Sequence, residues 1–150
     1  MKTALASALL VAPALAWAVP PDACSILTLE EVNSVAGGLA TKVLPVRSGN
    51  PTECIFADSK KGAVLTITLR EVQYAAADEL HQERENDQKV YRTQSKDVAG
   101  VGQHAYWQPH NFRMGYHKGK TLVFVSFQVP KYQNEVATGQ IARMIEARLK

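Results

Sequence analysis

The stretch that decides the fold is residues 98–129, VAGVGQHAYWQPHNFRMGYHKGKTLVFVSFQV. Apolar and polar side chains alternate along much of it, which is the period-two pattern of strands. Lys118-Gly119 separates two such runs, and an X-Gly pair at that place predicts a two-residue hairpin turn. Pro109 and Asn111 predict the preceding turn. The stretch is therefore predicted to form three consecutive antiparallel strands.

The predicted register divides the side chains between two faces. Tyr116 lies opposite Thr121, and the earlier pairing of Trp107 with Phe112 continues the same alternation. The face that we expect to enter the core carries Ala105, Trp107, Phe112, Met114, Tyr116, Thr121, Val123, Val125 and Phe127. The opposite face carries His104, Tyr106, Arg113, His117, Lys120, Leu122, Phe124 and Ser126. A slip of one residue would exchange the two faces.

The second face mixes apolar and charged side chains, so it is typical neither of a sealed core nor of a solvated surface. A sealed core does not tolerate unpaired cations, whereas Leu122 and Phe124 require cover. Aromatic, aliphatic and cationic side chains together are typical of interfaces. We therefore define a predicted binding face of six residues, which are His104, Tyr106, Arg113, His117, Leu122 and Phe124. The alternative is that a helix predicted over residues 75–89 covers this face.

Residues 1–18, MKTALASALLVAPALAWA, have the pattern of a signal peptide. Lys2 supplies the positive n-region, an Ala/Leu/Val-rich run follows, and Ala16-Trp17-Ala18 has the small-x-small cleavage pattern. The apolar run is too short, and interrupted by Pro13, to span a bilayer. We expect cleavage to leave residues 19–150 as a single exported domain, periplasmic or secreted.

The mature chain is expected to be close to electrical neutrality. The whole chain has 17 Lys and Arg against 14 Asp and Glu, and removal of Lys2 leaves a formal charge of +2. Such a balance gives no reason to expect nucleic acid or an anionic membrane as a partner. Gly100-Val101-Gly102 is not a dinucleotide fingerprint, because no helix is predicted after it. We expect no cofactor.

Two cysteines, Cys24 and Cys54, remain after cleavage. An even number of cysteines in an oxidising compartment predicts a disulfide. Closing a loop of this length should stabilise the fold by about 3–4 kcal/mol on the chain-entropy model. A two-thiol metal site is the alternative, but it would need further ligands, and none lies close in the sequence.

Three segments predict helices. Thr28 and Glu31 form a capping box at the start of the first, which ends at Gly37-Gly38. Residues 75–89 predict a polar helix anchored by its few apolar side chains, in which we interpret the charged run 83–87 as a solvated face. Residues 133–149 predict an amphipathic helix whose apolar stripe is Ala137, Ile141, Met144, Ile145 and Leu149.

The strands and helices together predict the α+β class. Strands are predicted at residues 54–57 and 63–72, ahead of the three central ones. Pro45 makes residues 39–47 either an edge strand or an extended loop. The order is helix, two strands, helix, three strands, helix. We therefore expect a single-domain sandwich with an antiparallel sheet of about five strands and helices packed on it.

Three segments resemble those of a group of small exported bacterial proteins. They are residues 24–32, CSILTLEEV, residues 53–56, ECIF, and residues 100–107, GVGQHAYW. The group has a C-x-L-L-T-x-x-E-V opening, a second cysteine in a strand and a G-x-G-x-x-A-aromatic segment. The resemblance implies a fold similar to the Mog1/PsbP-like α+β sandwich. Members of the group are largely of unknown function and often lipid-anchored, but this chain lacks the lipid-attachment cysteine.

The histidines suggest one alternative chemistry. In the predicted register His104 faces Gly115 and lies diagonal to His117, within about 7–8 Å. Two imidazoles at that spacing could share Zn²⁺ or Cu²⁺. A third ligand would be needed, and His110 lies in the turn at the far end of the hairpin. Exposed strand histidines without a ligand are the commoner case.

No residue pattern predicts catalysis. No serine lies in a nucleophile-elbow pattern, the cysteines are expected to be paired, and the predicted elements bring no two carboxylates together. The leading prediction is an exported, non-catalytic module that binds a protein or a cell-envelope component. The alternatives are a small periplasmic metal-binding protein that uses His104 and His117, or an enzyme of an unrecognised class.

Overall fold

The computed structural model describes residues 19–150, which form three α-helices and seven β-strands. The signal peptide and cleavage site predicted at residues 1–18 lie outside the described residues. In chain order the elements are α1 (Leu29–Ala36), β1 (Lys42–Arg47), β2 (Thr52–Asp58), β3 (Gly62–Glu71), α2 (Ala76–Tyr91), β4 (Lys96–Asp97), β5 (Gln103–Gln108), β6 (Arg113–Lys118), β7 (Thr121–Phe127) and α3 (Glu135–Glu146). A 3₁₀ turn, Pro130–Tyr132, precedes α3.

The strands form one antiparallel sheet in the order β1-β2-β3-β7-β6-β5-β4. The predicted α+β class is confirmed, but the expected number of about five strands is wrong. The two additional strands are the outermost ones. β1 contains Pro45, whose missing N–H is tolerated at a sheet edge. β4 has only two residues, too few to produce an alternating pattern.

The hairpin between β6 and β7 is shifted by two residues from its predicted register. Gly119 and Lys120 form the turn, so Lys118 pairs with Thr121. Gly119 has a φ of 56°, whereas Lys120 does not have a positive φ. A two-residue turn with glycine first is typical of type II′, while the predicted X-Gly turn corresponds to type I′. The identity of the turn therefore accounts for the shift.

The turn between β5 and β6 is shifted by two residues in the same way. Trp107 pairs with Met114 instead of Phe112, and Gln108 pairs with Arg113. Phe112 lies in the loop with a φ of 53°. Because side chains alternate with period two, a shift of two residues leaves each strand residue on its predicted face.

The main core lies between the first face of the sheet and the helices α1 and α3. The sheet contributes a continuous set of buried side chains, which includes Cys54, Phe56, Leu65, Ile67, Leu69, Ala105, Trp107, Met114, Tyr116, Val123, Val125 and Phe127. From the C-terminal segment, the predicted stripe packs on them through buried Ala137, Ile141, Ile145 and Leu149 and half-buried Met144. These contacts leave the opposite face of the sheet to α2.

The disulfide predicted between Cys24 and Cys54 is confirmed, with 5.0 Å between the Cα atoms. It joins the segment before α1 to β2, and Cys54 is completely buried. The capping box at the start of α1 is also present, because Thr28 accepts from the backbone N–H of Glu31 and Glu31 accepts in return. The start of α1 is thus held both by its cap and by a covalent bond to the sheet.

Candidate functional site

α2 lies across part of the second face of the sheet, over β5, β6 and β7. It confirms the helix predicted at residues 75–89, and its apolar side chains join a second, smaller cluster of Val72, Ala76, Leu80, Tyr106, Leu122 and Phe124. Tyr106 and Leu122 are completely buried, and Phe124 is 8% exposed. Three of the six residues of the predicted binding face therefore pack beneath α2. Exposure of Leu122 and Phe124 to water would be unfavourable, and the chain's own helix supplies the cover that they need.

Arg113, a fourth residue of the predicted binding face, is held by acidic residues of α2. Its Nη2 lies 2.5 Å from Oδ2 of Asp87, and its Nε donates to the same oxygen at 3.1 Å. Tyr106 donates its hydroxyl hydrogen to that oxygen as well, at 3.2 Å, and Oε2 of Glu83 lies 3.6 Å from Arg113 Nη2. The guanidinium carbon lies 4.5 Å from the ring centre of Phe124. The charge of Arg113 is therefore balanced where helix and sheet meet.

The interpretation of residues 83–87 as a solvated face is wrong for Glu83 and Asp87. Both face the sheet, where Glu83 also pairs with Arg70 at 3.1 Å. Leu80, Glu83 and Asp87 follow one another at intervals of three and four residues, which places them on one side of a helix. That spacing was a usable signal in the sequence, since it continues the stripe that Leu80 anchors. Two carboxylates are thus brought to one cation, Arg113.

An open groove lies beside α2 on the part of the second face that the helix leaves uncovered. We call it the β3–β7 groove, and it is lined by Pro51, Thr66, Thr68, Arg70, Glu83, Arg113, Phe124 and Ser126. Its volume is about 200 Å³. Sites for drug-sized molecules are larger, at about 300–1,000 Å³. The groove therefore has room for a side chain or another small group carried by a larger partner.

The floor of the β3–β7 groove is rich in hydroxyl groups. Thr66 pairs with Ser126 across β3 and β7, and Thr68 pairs with Phe124. All three hydroxyl residues are partly exposed. Nε of Arg70 is buried and has no hydrogen-bond partner among residues 19–150. Ser126 Oγ accepts from Nε2 of Gln128 at 3.0 Å. The groove thus combines partly exposed hydroxyl groups with the guanidinium groups of Arg70 and Arg113.

An apolar strip continues from the groove to the edge of the sheet. Ile55 pairs with Thr66, and Leu44 of the edge strand pairs with Ile55, so the three side chains lie in one row on the second face. Leu44 is 39% exposed, and Val46 farther along β1 is 53% exposed. The strip and groove together form a mixed apolar, hydroxyl and cationic surface. Arg113 and Phe124 of the predicted binding face line it, and it extends over β3, β2 and β1.

His104 and His117 are brought into direct contact. His104 lies in a β-bulge between Gln103 and Tyr106, with a φ of 53°. Its Nδ1 lies 3.0 Å from Nε2 of His117. Nδ1 of His117 lies 3.2 Å from the carbonyl oxygen of Gly119, which can only accept. His117 therefore carries its hydrogen on Nδ1, and His104 donates to Nε2 of His117.

The other two histidines lie apart from this pair. His110 stacks on Tyr91, with 4.9 Å between ring centres, and Nε2 of His81 lies 3.3 Å from a carboxylate oxygen of Glu85. In the part of the chain that the structure describes, no group of three or more His, Cys, Asp and Glu side chains is placed to hold a metal ion. Any metal at the His104–His117 pair would have two protein ligands of these types.

Neither the protein-family models nor the curated proteins with which the chain was compared match it. Over residues 19–150, no helix combines the length and the apolar character that crossing a membrane requires. Function is therefore inferred from the chemistry of the site, and fold alone does not specify it.

Proposed function

We propose that the protein is an exported, non-catalytic binding module that recognises a protein or a cell-envelope component through the β3–β7 groove and the apolar strip beside it. The observation that carries this proposal is the uncovered half of the second sheet face. α2 covers β5, β6 and part of β7, whereas Leu44, Ile55, Thr66, Thr68 and Ser126 remain partly or largely exposed on β1, β2, β3 and the uncovered part of β7. An apolar strip edged by polar groups is the composition of a recognition surface.

The groove offers specific contacts as well as apolar area. Hydroxyl groups of Thr66, Thr68 and Ser126 can donate or accept hydrogen bonds, and the cationic side chain of Arg70 beside them is 30% exposed. We expect a partner to place an apolar group on Ile55 and a polar group against Arg70.

The charges along the groove support binding over acid–base catalysis. Glu83 pairs with both Arg70 and Arg113, and Arg113 is further held by Asp87. A general base needs to reach the proton that it removes, whereas these carboxylates are engaged with guanidinium groups. No histidine is among the residues that line the groove.

Two features support a location outside the cytoplasm. Residues 1–18 have the pattern of a signal peptide, and the Cys24–Cys54 disulfide is of the kind that persists in oxidising compartments. We therefore propose that the protein functions in the periplasm or outside the cell.

Site-specific photo-crosslinking in intact cells tests the binding surface. A photoreactive phenylalanine analogue at Thr68 lies in the groove, and the same analogue at Ser59 lies in the exposed turn between β2 and β3. We expect discrete higher-mass adducts from position 68 and none from position 59. Mass spectrometry of the adducts then identifies the partner.

A matched pair of substitutions provides the control. Ser126→Arg fills the groove, whereas Ser59→Arg adds the same charge and volume away from it. We expect Ser126→Arg to abolish the adducts formed from position 68, and Ser59→Arg to leave them unchanged, with both variants folded by circular dichroism. Equal adducts from positions 68 and 59, or adducts that persist in Ser126→Arg, would overturn the proposal.

A further inference from the structure

The rings of His104 and His117 meet head to head. Their planes differ by 15°, and their centres are 5.2 Å apart. Because Nδ1 of His104 and Nε2 of His117 are 3.0 Å apart, the two ring centres can be little more than 5.2 Å apart. They approach that limit only when both nitrogens lie close to the line that joins the ring centres. The two rings are therefore nearly coplanar and end to end, with Nδ1 of His104 and Nε2 of His117 pointing at each other along one line.

The orientation of the His117 ring is fixed by burial and by a hydrogen bond. His117 is only 7% exposed, and its Nδ1–H donates to the carbonyl oxygen of Gly119. Metal-binding histidines usually donate their second ring N–H in this way, which fixes the tautomer and the ring orientation. His104, by contrast, is exposed and lies in a bulge. One ring is thus held in place while the other has room to adjust.

We propose that His104 and His117 form a two-coordinate site for a monovalent soft cation, Cu⁺ or Ag⁺. Such d¹⁰ ions accept two nitrogen ligands in a straight line, which is the geometry of this pair. A metal about 2 Å from each nitrogen needs them about 4 Å apart, which is reached when the His104 ring withdraws by about 1 Å. His104 then moves its hydrogen from Nδ1 to Nε2, so both rings stay neutral and both facing nitrogens supply a lone pair.

The surroundings favour a monovalent ion over Zn²⁺. Zn²⁺ prefers four ligands in a tetrahedron, and no third His, Cys, Asp or Glu ligand accompanies this pair within residues 19–150. A cavity of about 100 Å³ beside His104 is lined by Ala77, Leu80, His81, Arg84, His104 and Tyr106. That lining includes no carboxylate to balance a second positive charge, and Arg84 within it is already paired with Asp97 at 2.5 Å.

Metal titration of the purified mature protein tests the site. Cu⁺ under anaerobic conditions is measured by competition with a colorimetric Cu⁺ chelator, Ag⁺ is measured by calorimetry, and Zn²⁺ serves as the comparison ion. We expect one Cu⁺ or Ag⁺ per chain and much weaker Zn²⁺ binding. X-ray absorption of the Cu⁺ form should show two nitrogen neighbours and no sulfur. That result would distinguish binding at the histidine pair from binding at the sulfur atoms of Met114 and Met144.

Three asparagine variants separate this site from the other histidines. His104→Asn removes one ligand and retains a residue type that tolerates positive φ, and we expect it to weaken Cu⁺ binding by at least the 10–100-fold typical of losing a metal's supporting partner. His81→Asn and His110→Asn should bind as the wild type does. Binding that survives His104→Asn, binding lost in His81→Asn, or Zn²⁺ affinity equal to that for Cu⁺ would each refute the two-coordinate site.

Discussion

Asp87 and Arg113 join the helix and the sheet through a single carboxylate oxygen, which receives hydrogen bonds from both Nε and Nη2 of the arginine. The side chain of Asp87 is 12% exposed and that of Arg113 is 24% exposed. Neither partner can recover full hydration if the other is removed, because α2 and the sheet exclude water from them. The pair therefore holds α2 over β6 and so determines where the uncovered half of the sheet begins.

Removal of the carboxylate should be costly. We expect Asp87→Ala to lower the free energy of unfolding by about 2–3 kcal/mol, since it leaves Arg113 and the Tyr106 hydroxyl without their acceptor. Glu85→Ala on the same helix is the control, because Glu85 is 47% exposed and pairs only with exposed side chains. It should change stability by less than about 0.5 kcal/mol. Urea denaturation measures both, and equal effects would contradict a structural role for the pair.

The disulfide should account for a large share of the stability. Cys24 and Cys54 are separated by 30 residues. Replacing both with alanine should lower the free energy of unfolding by about 3–4 kcal/mol. The intact mass of the exported protein should correspond to residues 19–150 less two hydrogens, without alkylation unless reductant is added first. Free thiols, an attached lipid or a different first residue would show that the predicted processing is wrong.

Stability should decline at alkaline pH because two tyrosines are buried. Burial raises the pKa of Tyr106, and although the nearby Arg113 lowers it, Asp87 raises it further. Burial also raises the pKa of Tyr116, and Glu146 contributes to that increase. The unfolded chain therefore loses these protons first, at about pH 10. The folded form binds more protons above that pH, so stability is intact below about pH 10 and falls as the pH rises, by up to about 1.4 kcal/mol per pH unit for each tyrosine.

Tyr116→Phe isolates one of these contributions. It removes the hydroxyl that donates to the carbonyl oxygen of Ala142 at 2.9 Å, which should cost about 1 kcal/mol near neutral pH. Above about pH 10 the stability of this variant should fall less steeply than that of the wild type. The variant lacks one tyrosine that keeps its proton in the folded form after losing it in the unfolded chain. Urea denaturation at a series of pH values gives both results. Parallel curves for the two proteins would show that Tyr116 ionises as readily when folded.

Two glycines should respond in opposite directions to alanine. A Cβ on Gly115 would lie 2.7 Å from the ring of Tyr106 and 3.1 Å from that of Phe124, so Gly115→Ala should destabilise the protein by about 1–3 kcal/mol. A Cβ on Gly139 of α3 would make ordinary contacts at 3.5 and 3.6 Å. Gly139→Ala should stabilise by about 0.5–1 kcal/mol, because alanine favours the helix. Thermal melts that move in the same direction would contradict this packing.

The faces of the sheet could be predicted from the sequence although the pairing could not. Alternation within residues 98–129 assigns each side chain to a face, and an error of two residues in the turn does not alter that assignment. The pairing itself depends on whether Gly119 comes first or second in the turn, which a lone glycine does not specify. The capping box and the stripe of α3 are local patterns and were predictable for that reason.

The position of the open surface was not predictable, since it depends on where α2 docks. The sequence identifies Leu122 and Phe124 as needing cover but does not say which strands the helix reaches. Asp87 meets Arg113 across 26 residues, and such a long-range pairing leaves no periodic pattern. Thr66 and Thr68 alternate along β3 with the core residues Leu65, Ile67 and Leu69, yet only the placement of α2 shows that they remain uncovered.

Pro45 has a consequence for how copies of this protein meet one another. The apolar strip reaches the outer edge of β1, where an unprotected strand would act as a template for growth into fibres. Pro45 removes a backbone donor there, and the register shift between Pro45 and Arg47 interrupts the ladder. The chain can therefore display an apolar surface at the edge of its sheet and still resist polymerising with copies of itself.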